Sequence, residues 1–358
     1  VSPTLSIIVP TLDERACIGA LLAQLARQSL AKQLEVIVAD GGSTDGSAQL
    51  AAQAAQRLGL ACTVIVTGRG RGAQMNAAVG HARGTDLLFL HADSQLLADT
   101  LLECAALTMQ QARARRGDDR VAGHFGLQFD VDPGAPRLAY FYYAAKTRLN
   151  RPESINGDQG QWIARRYFSE LGGYDAQLPY MEDARIARAI FASGEWVSLG
   201  GELLTSARRF ESEGLYERQT LNALLRCFDA VGMHDYFPLA REAYRAQPAT
   251  GRLRLGPFLR MASEVFWGSG WRQACRHGWR IGGFVAVQAW QAAFWCDCRR
   301  AWRNGRSPQA VETRTLRRFD RWIAPLVKSP PGVALVMAAV LCWFYVVRLR
   351  AENSPRVR

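Results

Sequence analysis

Ser6-Ile7-Ile8-Val9-Pro10-Thr11-Leu12-Asp13-Glu14 begins as a β-branched apolar run and ends in polar, acid-bearing residues. That is the signature of a short buried strand opening directly into a loop. Working outward, Leu34–Ala39, Cys62–Thr67 and Asp86–Leu90 repeat it. The segments between them have helical period: Ile18, Leu21, Leu22 and Leu25, then Leu50, Ala54 and Leu58, then Met75 to Ala82. Strand ends recur about every 25 residues, close to the size of a βαβ unit. The alternation predicts an α/β fold, a mostly parallel Rossmann-like sheet flanked by helices, with ligands at the carboxyl ends of the strands. Those ends read Pro10 to Glu14, Asp40-Gly41-Gly42-Ser43-Thr44-Asp45, Gly68-Arg69-Gly70-Arg71-Gly72 and His91-Ala92-Asp93-Ser94. Further on, Val121–Val131 has the pattern of a strand, and Gln161–Leu171 and Glu182–Phe191 those of helices.

The chain has 358 residues, 49% of them hydrophobic, which excludes a disordered or collagen-like polypeptide. Its formal charge of +12 is unevenly placed. Residues 1–240 hold 23 Lys+Arg against 26 Asp+Glu, and residues 241–358 hold 21 against 6. A mildly acidic domain therefore carries a basic, Trp-rich tail, suited to nucleic acid or to an anionic membrane. No zinc finger, helix-turn-helix or RNA-binding motif accompanies the charge, so membrane is the expectation and nucleic acid is not. None of the eight cysteines forms a C-x-x-C pair, and they read as small apolar residues in a reducing compartment. Pro3 to Pro10 is too short an apolar run for a signal peptide.

Two phosphate-binding patterns fail. There is no G-x-x-x-x-G-K-[ST]. Gly68 to Ala73 matches G-x-G-x-x-A, but Asp40 precedes it, whereas a dinucleotide fold places its ribose-binding acid afterwards. A nucleotide-diphosphate site with a divalent metal fits better. Departure of a nucleoside diphosphate concentrates negative charge, which Mg²⁺ or Mn²⁺ held by a carboxylate neutralises. Asp93 just past an apolar strand suits the ligand, Arg69 and Arg71 suit the phosphates, and Asp40 suits a base or ribose. Each residue taken alone also has a plain structural explanation; Asp40, for instance, could simply cap a helix with Ser43 and Asp45.

Ser6 to Glu14, Val38 to Asp45 and Phe89 to Asp93, with Gly172-Gly173-Tyr174-Asp175 and Glu182-Asp183 later, resemble glycosyltransferase family 2 and its GT-A fold. The resemblance covers about residues 5–235. The His-Ala-Asp form and the stretch Thr205 to Phe210 are most similar to bacterial arsenosugar-biosynthesis-type glycosyltransferases. The resemblance implies an inverting, metal-dependent transfer of a sugar from a nucleotide-diphosphate donor to an acceptor hydroxyl. Pro10, Thr11 and Glu14 would line the nucleotide pocket, with Asp40 on the base. Asp93 would be the metal-binding acid, with His91 as a second ligand or phosphate donor, and Asp183 beside Glu182 would be the catalytic base. Three departures stand out: His91 replaces the first acid of D-x-D, Asp13 the usual Asn, and Gly41 the usual second Asp. Q-x-x-R-W is absent, so processive polymer synthesis is not expected, and Arg209 would instead steady the diphosphate. Nucleotidyl transfer to a sugar phosphate and a non-catalytic nucleotide-sugar-binding scaffold are the alternatives.

In the tail, Ser329–Val347 is an uncharged run bounded by Lys328 and Arg348, long enough to cross a bilayer core. Trp343 and Tyr345 suit an interfacial belt. The shorter Ile281–Cys296, with Gln288 and Gln291, suits a core or interfacial helix. The expected plan is a catalytic domain over 1–240, a basic helical interfacial region over 241–328, a transmembrane helix or anchor over 329–348 and a basic tail over 349–358. Such a protein would work at the cytoplasmic face of the cell membrane, with lipid-linked acceptors included among its substrates.

Overall fold

The computed structural model describes residues 3–132, 134–135, 137–178, 180–247, 251–268 and 270–353. The chain divides into two compact units, Val1–Ser206 and Ala207–Arg358. The division falls earlier than the charge break at 240.

The first unit runs β1 (Leu5–Thr11), α1 (Arg15–Arg27), β2 (Leu34–Asp40), α2 (Ser47–Leu58), β3 (Cys62–Val66), α3 (Arg71–Val79) and β4 (Asp86–Phe89). These are the four strands and three helices that the alternation predicts. There follow β5 (Gln95–Leu96), α4 (Leu101–Arg116), β6 (Val121–Asp130), α5 (Arg137–Lys146), β7 (Gln161–Ala164), α6 (Arg165–Glu170), α7 (Glu182–Ser193) and β8 (Glu195–Ser206). The sheet order is β3-β2-β1-β4-β7-β6-β8-β5.

Strands β3, β2, β1 and β4 are mutually parallel, but β7 runs antiparallel to both β4 and β6, and β5 antiparallel to β8. The sheet is therefore mixed rather than mostly parallel. The Gln161–Leu171 stretch, expected to be one helix, supplies that antiparallel strand: Gln161 to Ala164 are all buried between β4 and β6, and the helix begins only at Arg165.

Burial on both faces explains the continuous apolar strands. Ile7 and Val9 of β1 and Val36 and Val38 of β2 pack on Ile18, Leu21, Leu22 and Leu25 of α1. Ile8, Ile37 and Phe89 face the other way, onto Met75, Phe168, Tyr174 and Ile186. This fixes the register, because a slip by one residue would turn each set to the wrong face.

The second unit is helical: α8 (Arg208–Glu213), α9 (Leu215–Val231), α10 (Tyr236–Arg245), α11 (Leu255–Gly268), α12 (Trp271–Gln288), α13 (Trp290–Arg303), α14 (Arg314–Arg318), a π-helical turn (Phe319–Ile323), α15 (Ala324–Val327) and α16 (Pro330–Asn353). The uncharged Ile281–Cys296 run is not one helix but the end of α12 and the start of α13, joined at Ala289. Helix α16 packs one stripe on α12. A Cβ at Gly282 would stand 2.9 Å from Val333 O and from Met337 Cβ, so glycine permits the close approach. Most of α16 otherwise faces outward, with Leu335 74% exposed. Among the described residues it is the one helix long and apolar enough to cross a membrane, by length and composition.

Candidate active site

The site forms where β1, β2 and β4 end and where α3 and α7 begin. Thr11 pairs with Asp40 at the last register position of β1 and β2. The two following loops are stitched together. Asp13 adopts a left-handed φ of 55°, a conformation that Asn and Asp tolerate best among residues with side chains. Its backbone N–H donates to Ser43 Oγ at 2.9 Å, and its Oδ1 accepts from the Thr44 N–H at 2.8 Å. The Glu14 N–H donates to Ser47 Oγ at 2.8 Å. Asp13 in place of the usual Asn thus keeps both the backbone conformation and the acceptor oxygen.

Asp40 is buried. Its Oδ2 accepts from the backbone N–H groups of Gly42 (3.1 Å) and Ser43 (2.9 Å), and its Oδ1 from Ser43 Oγ at 2.5 Å. The turn after β2 therefore uses this carboxylate; it does not cap the following helix, which begins at Ser47 after Gly46. Beneath it lies buried Gln74 of α3, whose Nε2 donates to Thr11 O at 3.0 Å and to Ala39 O at 2.8 Å. A Cβ at Gly41 would meet the Gln74 amide at 3.0 to 3.1 Å. Gln74 occupies the space that a second Asp would need, which accounts for glycine at that position.

Arg71 opens α3 and turns toward the acidic start of α7. Its Nε is ion-paired with Glu182, its Nη2 lies 3.7 Å from Asp183 Oδ2, and its Nη1 is 3.3 Å from His91 Nε2. Gly72 permits this approach, since a Cβ there would stand 3.2 Å from Asp175 O and 3.5 Å from Glu182 Cβ. Glu182 is only 2% exposed. Burial holds its carboxyl above the usual range; Arg71 opposes that rise, and neighbouring Asp183 adds to it.

Asp183 is more open. Its Oδ2 accepts from the Gly157 N–H at 2.8 Å and its Oδ1 from the Ala184 N–H at 2.8 Å, so backbone donors fix the carboxylate plane. Buried Tyr174 supports this corner from below. Asn76 of α3 donates to Tyr174 O at 2.7 Å and accepts from the Tyr174 N–H at 3.0 Å, while the phenol donates to Gln161 Oε1 at 2.8 Å. Burial, with Asp183 and Glu182 adding to it, pushes the Tyr174 phenol well above its ordinary value, so it remains a neutral donor.

The structure thus brings Arg71, His91, Glu182 and Asp183 together, and Gln74 joins Thr11 of β1 to Ala39 of β2, the neighbour of Asp40. Pro10 precedes Thr11 on β1, and Glu14 flanks the same loop at the head of α1. Asp93 lies half-buried in the turn after β4, two residues past His91; Arg69 is exposed in the loop before α3. Arg209 lies exposed on α8, in the second unit. Gly157, Gln74 and Asn76 escape sequence reasoning because their roles depend on contacts between distant segments; only the Asn156-Gly157-Asp158-Gln159-Gly160 run hints at a tight loop.

A divalent cation would find few side-chain donors gathered here. Among the described residues no group of three or more His, Cys, Asp or Glu side chains is gathered to hold a metal ion. A single carboxylate still fits a magnesium-type cation whose other ligands are substrate phosphates and water. Asp93, half-buried in the turn after β4, offers one such carboxylate.

An arginine and two acids thus gather at the carboxyl ends of an α/β sheet, where such sheets place their ligands. Residues 6–172, just under half of the chain and all within the first unit, match the family model described as Glycosyl transferase family 2. Over 107 residues the chain is 42% identical to the PGL/p-HBAD biosynthesis glycosyltransferase of Mycobacterium bovis, covering 29% of this chain and 41% of that protein. It is 35% identical over 103 residues to the poly(ribitol-phosphate) beta-N-acetylglucosaminyltransferase TarS of Staphylococcus aureus, covering 28% of this chain and 18% of that one. The chain therefore matches less than half the length of these curated relatives. The mannosyltransferase PcManGT from Pyrobaculum calidifontis, solved with GDP-Man and Mn2+, superposes with a TM-score of 0.49 at 20% identity, over 98% of this chain and 88% of that one. The arsenosugar-type subgroup suggested by the motifs gains no support from these relatives.

Proposed function

We propose that the first unit transfers a sugar from a nucleotide-diphosphate donor to an acceptor hydroxyl with inversion, one residue at a time. The observation that carries this reading is the cluster of Arg71, Glu182 and Asp183 at the strand ends, within a unit that bears the family 2 match. Asp183 is the base. Gly157 and Ala184 hold its carboxylate by backbone N–H groups, leaving lone pairs for an acceptor O–H. The acceptor oxygen attacks the anomeric carbon, the bond from that carbon to the diphosphate oxygen breaks, and the acceptor proton passes to Asp183. Glu182, buried against Arg71, is a positioning residue: it holds the guanidinium beside the leaving diphosphate, where charge-assisted hydrogen bonds favour departure.

Pro10, Thr11, Glu14 and Asp40 line the nucleotide side, and Arg69 contributes positive charge to the phosphates. Asp93, with His91 beside it, would hold the divalent cation, which when bound neutralises the leaving diphosphate. The family 2 match favours this reading over nucleotidyl transfer and over a scaffold without chemistry.

For the second unit we propose membrane association through α16. Trp267, Trp271, Trp279, Trp302, Trp322 and Trp343 are all exposed, and all lie in this unit. Exposed tryptophans beside an apolar helix suit a headgroup boundary. The catalytic unit would then act at the cytoplasmic face of the membrane, on an acceptor that includes a lipid-linked hydroxyl.

A donor screen with Mg²⁺ or Mn²⁺ that follows nucleoside diphosphate release tests the enzyme. Turnover is expected with at least one nucleotide sugar. Asp183→Asn should cut it by about 10²–10⁴-fold, the usual worth of a positioned base, while calorimetric donor binding stays intact. Full turnover by Asp183→Asn would remove Asp183 from the chemistry.

A further inference from the structure

The segment between α13 and α16 lies outside the reaction, yet it is built as a site. Arg314, Arg317, Arg318, Arg321 and Trp322 line a shallow depression of about 430 Å³. Residues 314–328 hold five Lys+Arg against one Asp. The scaffold beneath is ordered by a buried charge. Asp297 of α13 is 2% exposed, and its two carboxylate oxygens accept the N–H groups of Thr315 and Leu316, each at 2.9 Å. Leu316 and Ala324 are buried as well, so both ends of the short helical stack are pinned.

The π-helical turn Phe319–Ile323 then rotates its side chains outward; such turns recur at functional sites. Trp322 is 63% exposed, Ile323 46% and Leu326 66%. Arg321 lies over the Trp322 ring, 4.9 Å from its centroid, while Arg314 is paired with Glu312 at 2.6 Å. The guanidinium groups of Arg317 and Arg318 have no ion pair among the described residues.

We propose that this cradle binds the phosphate of an acidic phospholipid in the bilayer, with Trp322, Ile323 and Leu326 entering the headgroup–acyl boundary. Charge complementarity and the apolar rim select this occupant together. Arginines alone would take any phosphate. A free phosphate or a nucleic acid would leave exposed Ile323 and Leu326 in water, whereas an anionic bilayer accepts both the charge and the apolar side chains. The chain also runs from this turn straight into apolar α16, which begins at Pro330. The inference rests on the membrane association proposed above but adds a lipid preference that a plain apolar anchor lacks.

The test uses the full chain in uncharged detergent micelles, titrated with phosphatidylglycerol or phosphatidylcholine, with retained lipid counted by native mass spectrometry. Phosphatidylglycerol should be retained and phosphatidylcholine lost. R317Q/R318Q/R321Q should weaken phosphatidylglycerol retention by roughly a hundredfold, at about fivefold per basic residue near a lipid surface. R317K/R318K/R321K keeps the charge and should stay within about fivefold of the parent. W322A should weaken retention with the arginines intact. Equal retention of both lipids, or an undiminished glutamine variant, overturns the proposal. So does full displacement of phosphatidylglycerol by excess inorganic phosphate or by a single-stranded oligonucleotide, which would mark a general anion or nucleic-acid site. Micelles accommodate α16 in every variant, so the cradle is tested separately from membrane anchoring.

Discussion

At the scale of single residues, the site is an argument about where one carboxylate points. Asp183 begins α7 next to buried Glu182, and unrestrained the two acids would repel each other and share Arg71 unpredictably. Backbone N–H groups remove that freedom. Gly157 donates to Oδ2 at 2.8 Å, and a Cβ on Gly157 would stand 3.1 Å from that oxygen and 3.5 Å from His91 Nε2. Glycine at 157 is thus a spacing device that brings a peptide N–H up to Asp183, the proposed base, without a side chain between them. Gly157→Ala should push the carboxylate aside by a few tenths of an ångström. The expected result is a loss of roughly tenfold to a hundredfold in kcat, since misplacement of a catalytic group is costly. Tm and donor KM should change little, because the atoms nearest the added methyl belong to the acid and the imidazole. Steady-state kinetics beside a thermal melt checks this; a variant with normal kcat would show that Asp183 needs no such hold.

At the scale of elements, α3 does more than cover the sheet. Gln74 fastens it to the ends of β1 and β2, Asn76 fastens it to the Gly173–Tyr174 turn, and Arg71 at its start reaches α7. Gln74→Leu should preserve the volume but abandon two carbonyl partners in a buried place. We expect a loss of about 1–3 kcal/mol in denaturant unfolding, the usual cost of stranded buried polar groups, together with a raised donor KM as the loops after β1 and β2 loosen. An unchanged denaturation midpoint would mean that water serves those carbonyls equally well. None of these ties is legible in the sequence. The first four strands are, because β-branched runs and glycine-rich ends mark them one at a time. Strand β7 is hidden for a local reason: Gln161 to Ala164 passes into α6 at Arg165 with no glycine or proline between, so period alone merges them into one helix. The acids at the strand ends are legible for the same reason as the strands. Their partners are not, since Arg71 with Glu182 and Gly157 with Asp183 are meetings of distant segments that topology alone creates.

At the scale of the molecule, charge and exposed tryptophans are unevenly placed along the chain. Residues 1–240 are slightly acidic, and 241–358 carry 21 Lys+Arg against 6 acids. Helix α16 is the strongest statement of that division. In a water-soluble bundle its outward faces would be polar, yet Leu335, Val346 and Leu349 are exposed along it. Its one packed stripe lies on α11 and α12, where Trp267 donates to Tyr345 Oη at 2.7 Å and Gly282 admits Met337. The partner helix α12 carries Arg272, Arg276 and Arg280, which would resist burial in hydrocarbon. On the proposed membrane association, α16 is an anchor whose free apolar faces sink into one side of the bilayer. Extraction of membranes with alkaline carbonate should leave the chain in the pellet. Replacing Leu335, Val346 and Leu349 together by Ser should release most of it, because each buried leucine-sized side chain holds about 1.5–3 kcal/mol of apolar transfer energy. Complete release of the parent chain would instead assign α16 to a protein partner, since its exposed leucines would still require cover.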